Sequence, residues 1–256
     1  MNKISLIDTH AHYNSSTMDD LDSLLNIAID NEDVKKIINI GLDYKTSEES
    51  IIIGLNNTKF YSSLGIHPLY DGNVSALEEL YYKYNNEKIV GIGETGIDTS
   101  GNVDTQTDKF INSIKLANKL KLPLIIHACT TRNSSINANR LCIEILKKYR
   151  PMYGFVFHFF QPDLEVLGDI IKLGGYVSVG SNILKETAKK SLEVVRTVPI
   201  DRLFIETDYS FLTNSPNETG RASFNKICEL KNKEKTLMMK QLNQNAENLF
   251  YKLKNE

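Results

Sequence analysis

Two histidines one residue apart, His10 and His12, close the apolar run Ile4-Ser5-Leu6-Ile7-Asp8-Thr9-His10-Ala11-His12. On a strand, positions i and i+2 share a face, so both imidazoles would project together from one strand end. That pair is a fragment of a metal site, because zinc and its neighbours take four to six ligands and the chain must bring the rest from elsewhere. The chain has them. Its five histidines, His10, His12, His67, His127 and His158, each fall at or just past the end of an apolar run. Glu94 follows another such run in Gly91-Ile92-Gly93-Glu94-Thr95-Gly96-Ile97-Asp98, and Asp208 follows the last in Ile205-Glu206-Thr207-Asp208. Four imidazoles (His10, His12, His127, His158) and two carboxylates (Glu94, Asp208) fill two adjacent metal positions if one carboxylate bridges. Glu94, on the middle run, is the natural bridge. Two divalent ions about 3.5–4 Å apart would clamp the attacking and leaving oxygens of a hydrolytic displacement.

Other roles are open to some of these residues. His67, just before Pro68, is as readily a hydrogen-bonded structural histidine as a functional one. Asp208 could cap the next helix, and Glu206 shares its face two residues earlier; Asp208 is preferred as the ligand because it lies nearer the strand end. The glycines around Glu94 lack the G-x-G-x-x-G and Walker patterns, and more simply give the backbone room there. Cys129, two residues after His127, lines the site at most, because no paired base accompanies it.

The elements that must position these residues alternate along the chain. Strands are expected at Ser5–Asp8, Lys36–Ile40, Phe60–Gly65, Ile89–Gly93, Leu124–His127, Gly154–His158, Tyr176–Val179 and Leu203–Thr207. Between them lie helix-patterned stretches at Met18–Asp30, Ser47–Asn56, Val74–Asn85, Thr105–Leu120, Ala138–Tyr149, Pro162–Leu173 and Ile183–Val198, with Lys233–Tyr251 closing the chain. Eight βα units with hydrophobic strands close most simply into an α/β (β/α)8 TIM barrel, the runner-up being an open doubly wound sheet. In a barrel the carboxyl ends of the strands form one face, so residues distant in sequence converge there.

Composition fits this frame. With 256 residues the chain has the size of one such barrel, and a single domain over 1–256 is expected. Lys plus Arg number 30 against 32 Asp plus Glu, a net charge of −2, so no strong basic field marks out nucleic acid as a partner. Three cysteines, Cys129, Cys142 and Cys228, lie far apart without a C-x-x-C, which suits a reducing compartment. No apolar run reaches the roughly 18 residues needed to span a bilayer, and the expected location is cytoplasmic, with no membrane partner.

Across nearly the whole chain the motifs resemble those of the TatD family of metal-dependent deoxyribonucleases. Asp8-Thr9-His10-Ala11-His12, Gly65-Ile66-His67-Pro68, Gly93-Glu94-Thr95-Gly96-Ile97-Asp98, Leu122-Pro123-Leu124-Ile125-Ile126-His127 and Glu206-Thr207-Asp208 occur in that family's order and spacing, and Asn245-Ala246-Glu247-Asn248-Leu249-Phe250 is similar to its closing helix. The resemblance implies a TIM barrel of the amidohydrolase-like superfamily, with Glu94 where many relatives carry a carboxylated lysine. It implies that His10, His12, Glu94 and Asp208 hold one divalent metal ion and Glu94, His127 and His158 a second, of Zn, Mn, Mg, Fe or Ni. His67 would sit at the rim, facing substrate or phosphate. The implied activity is hydrolysis of DNA phosphodiester bonds from the 3′ end, with Asp208 and Glu94 as the catalytic carboxylates.

Departures from the family fall where substrate is handled. The usual His-Ser-Arg at the fifth strand reads His127-Ala128-Cys129, and Arg132 or Arg221 is a candidate to replace the missing cation as a phosphate contact. His-Cys-Phe-Ser-Gly at the sixth strand reads His158-Phe159-Phe160-Gln161-Pro162, and Thr-Asp-Ser-Pro-Tyr-Leu after the eighth reads Thr207-Asp208-Tyr209-Ser210-Phe211-Leu212. A loop of the Arg-Gly-Lys-Arg-Asn type is reduced to Thr219-Gly220-Arg221-Ala222. The rival functions are a related hydrolase of a small amide, ester, lactone or aminoacyl bond, and a non-catalytic metal-binding barrel serving a partner protein.

Overall fold

Short apolar runs bounded by Asp, Asn and Gly become strands, and the polar-spaced stretches between them become helices. In the computed structural model, which describes residues 5–14, 20–212 and 215–254, eight strands form one parallel sheet in sequential order. They are β1 (Leu6–Ala11), β2 (Val34–Ile40), β3 (Phe60–Leu64), β4 (Ile89–Asp98), β5 (Leu124–Cys129), β6 (Phe155–Phe157), β7 (Tyr176–Val179) and β8 (Leu203–Ile205). β8 returns to β1, where the Asp208 N–H donates to the His10 carbonyl at 2.9 Å and Thr207 donates through both its N–H and hydroxyl to the Asp8 carboxyl. The sheet is a nearly closed TIM barrel. Parallel strands of this kind need both faces covered, and helices supply the outer cover.

Those helices are α1 (Leu21–Asp30), α2 (Tyr44–Asn56), α3 (Val74–Tyr84), α4 (Val103–Leu120), α5 (Ala138–Tyr149), α6 (Leu164–Lys172), α7 (Lys189–Thr197), α8 (Pro216–Lys231) and α9 (Lys235–Leu249). Side-chain caps start several of them: Asp43 accepts from Thr46 N in a reciprocal capping box, Asn102 accepts from the second and third residues of α4, and Asp163 does the same for Val166. The alternation of side chains along each strand divides the core. Leu124 and Ile126, Phe155 and Phe157, and Leu203 and Ile205 pack outward with the helices, whereas Ile125, Val156 and Phe204 join Ile7, Ile38, Tyr61, Val90 and Tyr176 in a second cluster, capped by Phe250 and Leu253. His127, His158 and Glu206 follow Ile125, Val156 and Phe204 by two residues and so continue the inner face upward.

The structure corrects three expectations. β4 runs on to Asp98, so Glu94 sits within the strand rather than after it. The expected long helix Ile183–Val198 keeps regular α-structure only over Lys189–Thr197. Residues read as a reduced loop around Thr219-Gly220-Arg221-Ala222 lie inside α8, which begins with proline in its first turn and whose polar face masks the helical period. The first residues of the expected helix Met18–Asp30, and Ile4 of the opening run, lie outside the described residues.

Candidate metal centre

Local irregularities aim the ligands. The β1–β2 register shifts between Asp8 and Ala11, and the β4–β5 register shifts between Ile92 and Thr95, so both strands break their simple alternation where His10 and Glu94 stand. Gly93, at φ 138°, makes the second break possible: a Cβ there would lie against the Ile125 carbonyl. A Cβ on Gly65 would collide with the backbone at Glu94, so the glycines give that carboxylate its room.

Glu94 is the centre of the cluster. Its Oε2 lies 3.4 Å from His10 Nε2 and 3.6 Å from His12 Nε2, while Oε1 lies 2.6 Å from His127 Nδ1, 2.9 Å from His158 Nε2 and 3.7 Å from His67 Nε2. Asp208 Oδ1 closes the first group at 3.4 Å from His12 Nε2 and 3.8 Å from His10 Nε2. His10 and His12 approach each other Nε2 to Nε2 at 3.0 Å, and His127 Nδ1 is 3.4 Å from His158 Nε2. Ligands about 2.1 Å from a common ion sit about 3.0–3.4 Å apart, close to the separations among His10, His12, Glu94 and Asp208, whereas His127 and His158 make direct contacts with Glu94 Oε1 that an ion would have to open slightly. The chemistry agrees, because imidazole nitrogens converging on one another and on carboxylate oxygens form a donor set that a divalent cation can take over from a shared proton.

Groups on the far side of three of the rings, His12, His127 and His158, bear on which nitrogen faces inward, whereas His10 Nδ1 is buried without a hydrogen-bond partner among the described residues. The Ile40 carbonyl, 3.2 Å from His12 Nδ1, can only accept, so Nδ1 carries the proton and Nε2 is free to ligate. Asp98 Oδ2, 3.2 Å from His127 Nε2, takes that N–H and leaves Nδ1 toward Glu94. Glu206 Oε1 stands 3.4 Å from His158 Nδ1. Glu206 is in turn held by the Ser178 hydroxyl and by the Phe159 N–H, each 2.5 Å away. Such carboxylate–histidine pairs orient metal ligands and raise their basicity. Phe159 and Asp208 both adopt positive φ, 39° and 50°, backbone geometry that packing must enforce for a side chain as bulky as phenylalanine.

Charge follows geometry. Burial would push the Glu94 carboxyl up, but His158, His67, His10 and His127 together hold it well below the usual range. Asp208 is likewise lowered against its burial, by His12, His158 and His10. Burial would lower His158, yet Glu94 and Glu206 raise it to about 10, and Asp98 and Glu94 raise His127 well above normal. His67 is pulled down to about 4, chiefly by burial, and His10 is lowered by burial and by His158. A centre that holds protons on two rings beside ionised carboxylates is a centre where a metal can replace them.

The positions named from sequence divide cleanly. His10, His12, Glu94, His127, His158 and Asp208 meet within one cluster, and His67 enters it more closely than a rim position, its ring 4.5 Å from that of His127. Arg132 is exposed on the β5–α5 connection and makes no ion pair among the described residues. Arg221 is not brought to the cluster: from α8 its guanidinium binds Asp33, at the opposite end of the barrel just before β2, with Nε 3.0 Å from Oδ2. Glu206 supports His158 rather than joining the cluster. Asp98 carried no assigned role in the sequence, though its place four residues after Glu94 on one strand could have revealed it.

A cavity of about 360 Å3 opens beside the cluster, reached by His127, His158 and Asp208 and walled by Cys129, Phe159, Pro162, Asn182 and Leu212. Among the described residues its lining contains no lysine or arginine. On the other side Phe211, about half exposed, packs edge-on against His12 at 4.8 Å.

Comparison with known proteins places these features in context. Residues 7–251 match the family model described as TatD related DNase. A metal-dependent hydrolase of Bacillus subtilis, YabD, is 32% identical over 96% of this chain and 98% of its own length. The crystal structure of YJJV, a TatD homologue from Escherichia coli K12, superposes with a TM-score of 0.83 at 25% identity, covering 96% of this chain and 98% of that one. Deoxyribonuclease Tat-D of Schizosaccharomyces pombe is 30% identical over 63% of this chain and 54% of its own length.

Proposed function

The chain belongs to the TatD-related DNase family of metal-dependent hydrolases, and on that premise we propose that it hydrolyses phosphodiester bonds of DNA from the 3′ end of a strand. The observation that carries the proposal is the division of Glu94, one oxygen toward His10 and His12 and the other toward His127 and His158. It supports two divalent ions, one held by His10, His12, Glu94 and Asp208 and the other by Glu94, His127 and His158. When bound, such ions supply a water of lowered pKa and positive charge against the phosphate oxygens. Asp208 Oδ1, kept ionised by the neighbouring histidines, orients the attacking water and accepts its proton. His67 Nε2 faces the same space and steadies a phosphate oxygen, with Arg132 on the β5–α5 connection the candidate cation. The cavity walled by Phe159 and Leu212 takes the base and sugar of the terminal nucleotide against its apolar side.

Widely separated free cysteines suit work in a reducing compartment such as the cytoplasm. Among the described residues no helix is long and apolar enough to cross a membrane.

Purified protein with Mg2+, Mn2+ or Zn2+ should shorten single-stranded DNA, and His127→Ala and Asp208→Asn should abolish the reaction. DNA left intact, with neither substitution affecting any hydrolysis, would overturn the proposal. A second reading, hydrolysis of a small amide, ester or lactone, is favoured by a cavity with no lysine or arginine among the described residues that line it and by the net charge of −2. A panel of such substrates run beside DNA separates the two.

A further inference from the structure

The carboxyl ends of β4 and β5 carry a second group of ligand-type side chains on the far side of His127. Asp98 pairs in register with Cys129, and Gly96 with His127, so Asp98, His127 and Cys129 stand on adjoining strand ends. His127 and Cys129 are two residues apart and project to the same side. Their donor atoms and those of Asp98 all lie within 4.8 Å of one another. Asp98 Oδ1 is occupied by the Ser100 N–H and hydroxyl, at 2.8 and 2.6 Å, which leaves Oδ2 turned toward His127 Nε2. Cys129 is half-buried and borders the cavity, whereas Cys142 and Cys228 are buried in the helix layer.

We propose that Asp98 Oδ2, His127 Nε2 and Cys129 Sγ form a separate, inhibitory site for a thiophilic divalent cation of the Zn2+ or Cd2+ class. Sulfur is the deciding donor. Thiolate binds soft cations strongly and hard Mg2+ or Mn2+ poorly, whereas the Glu94 cluster, built of imidazole and carboxylate, accepts both kinds. Binding releases the Cys129 thiol proton to solvent. A cation on Nε2 displaces the proton that Asp98 accepts, to solvent where the ring holds two protons and to Nδ1 where it holds one, so that Nδ1 carries an N–H 2.6 Å from Glu94 Oε1. The imidazole then faces the Glu94 cluster with an N–H instead of a lone pair. One ring serves one side at a time, so a soft cation on Cys129 withdraws His127 from the main centre.

Cadmium titration of the Mn2+-loaded protein tests this directly. The chain has no tryptophan, which leaves the ultraviolet difference spectrum open for a thiolate-to-cadmium band. The band should saturate at one equivalent per chain, vanish in Cys129→Ser, and survive in a Cys142→Ser/Cys228→Ser double variant. Asp98→Asn should need at least about tenfold more cadmium, as loss of a neighbouring ligand does. In the unmodified chain, stoichiometric Cd2+ should protect Cys129 from a thiol reagent while Mg2+ does not, a readout that needs no variant to fold. Hydrolysis should be inhibited over the same cadmium range, and Cys129→Ser should resist. No band, a band that persists in Cys129→Ser, or unprotected Cys129 overturns the site, and a saturated band without inhibition overturns its coupling to His127. The absorbance and protection measurements hold whatever substrate the enzyme proves to cleave.

Discussion

Glu206 stands behind His158: its Oε1 is 3.4 Å from Nδ1, while the opposite nitrogen of that ring, Nε2, is 2.9 Å from Glu94 Oε1. The histidine is thus gripped between a carboxylate at the centre and a carboxylate outside it. Glu206→Gln keeps the hydrogen bond from Ser178 but loses the charge. It should weaken divalent-metal affinity about 10–100-fold while leaving the fold intact, as removal of outer partners of metal-bound histidines does. Chelator competition alongside circular dichroism checks it, and undiminished affinity would show that Glu206 only packs.

Glu94→Gln should act on the whole centre. The amide cannot offer two anionic oxygens, so metal content measured after dialysis should fall at both positions together. A variant that loses one ion and retains the other would refute the bridging role.

Metal uptake should depend on pH with a defined sign. In the metal-free protein His158 is raised to about 10 by Glu94 and Glu206, so below that pH a metal must displace a proton. Apparent affinity should therefore climb between pH 6 and 8, by up to about tenfold per unit for each proton displaced. The stability of the metal-free protein should move the other way over the alkaline range. A histidine whose folded pKa exceeds the unfolded value near 6.5 stabilises fully below that value, and the contribution is lost as pH rises toward 10. Thermal denaturation with and without metal across pH 6–10 reads both trends.

Gly93→Ala should be far more damaging than its size suggests. The residue sits at φ 138° with the Ile125 carbonyl where the methyl would go. A loss of about 3 kcal/mol or more in denaturant unfolding is expected, with metal uptake impaired because Glu94 is the next residue.

Arg221→Ala should be nearly silent. Its guanidinium is 60% exposed and binds Asp33 away from the histidines, so the stability change should stay below about 1 kcal/mol and KM for whichever substrate is turned over should not move. A large rise in KM would mean that α8 presents this arginine to substrate after all.

Much of this protein was legible in its sequence because two periodicities carry most of the information. Apolar runs of strand length alternating with helix-patterned stretches led to a parallel barrel, and the barrel rule sent every histidine to one face. The polar α8 escaped because an exposed helix with a narrow apolar stripe looks like a loop.

The residue types and their chain order, then, were enough to name His10, His12, Glu94, His127, His158 and Asp208 as a set. Tertiary structure alone decided how they share the work. That Glu94 splits its oxygens between two histidine pairs, that Asp98 and Glu206 set the rings of His127 and His158, and that Arg221 is spent on Asp33 all depend on side-chain directions at register shifts and on contacts between strands far apart in sequence. A linear pattern records which face a residue occupies. Which atom meets which is settled only when the barrel closes and the strand ends are brought within a few ångströms of one another.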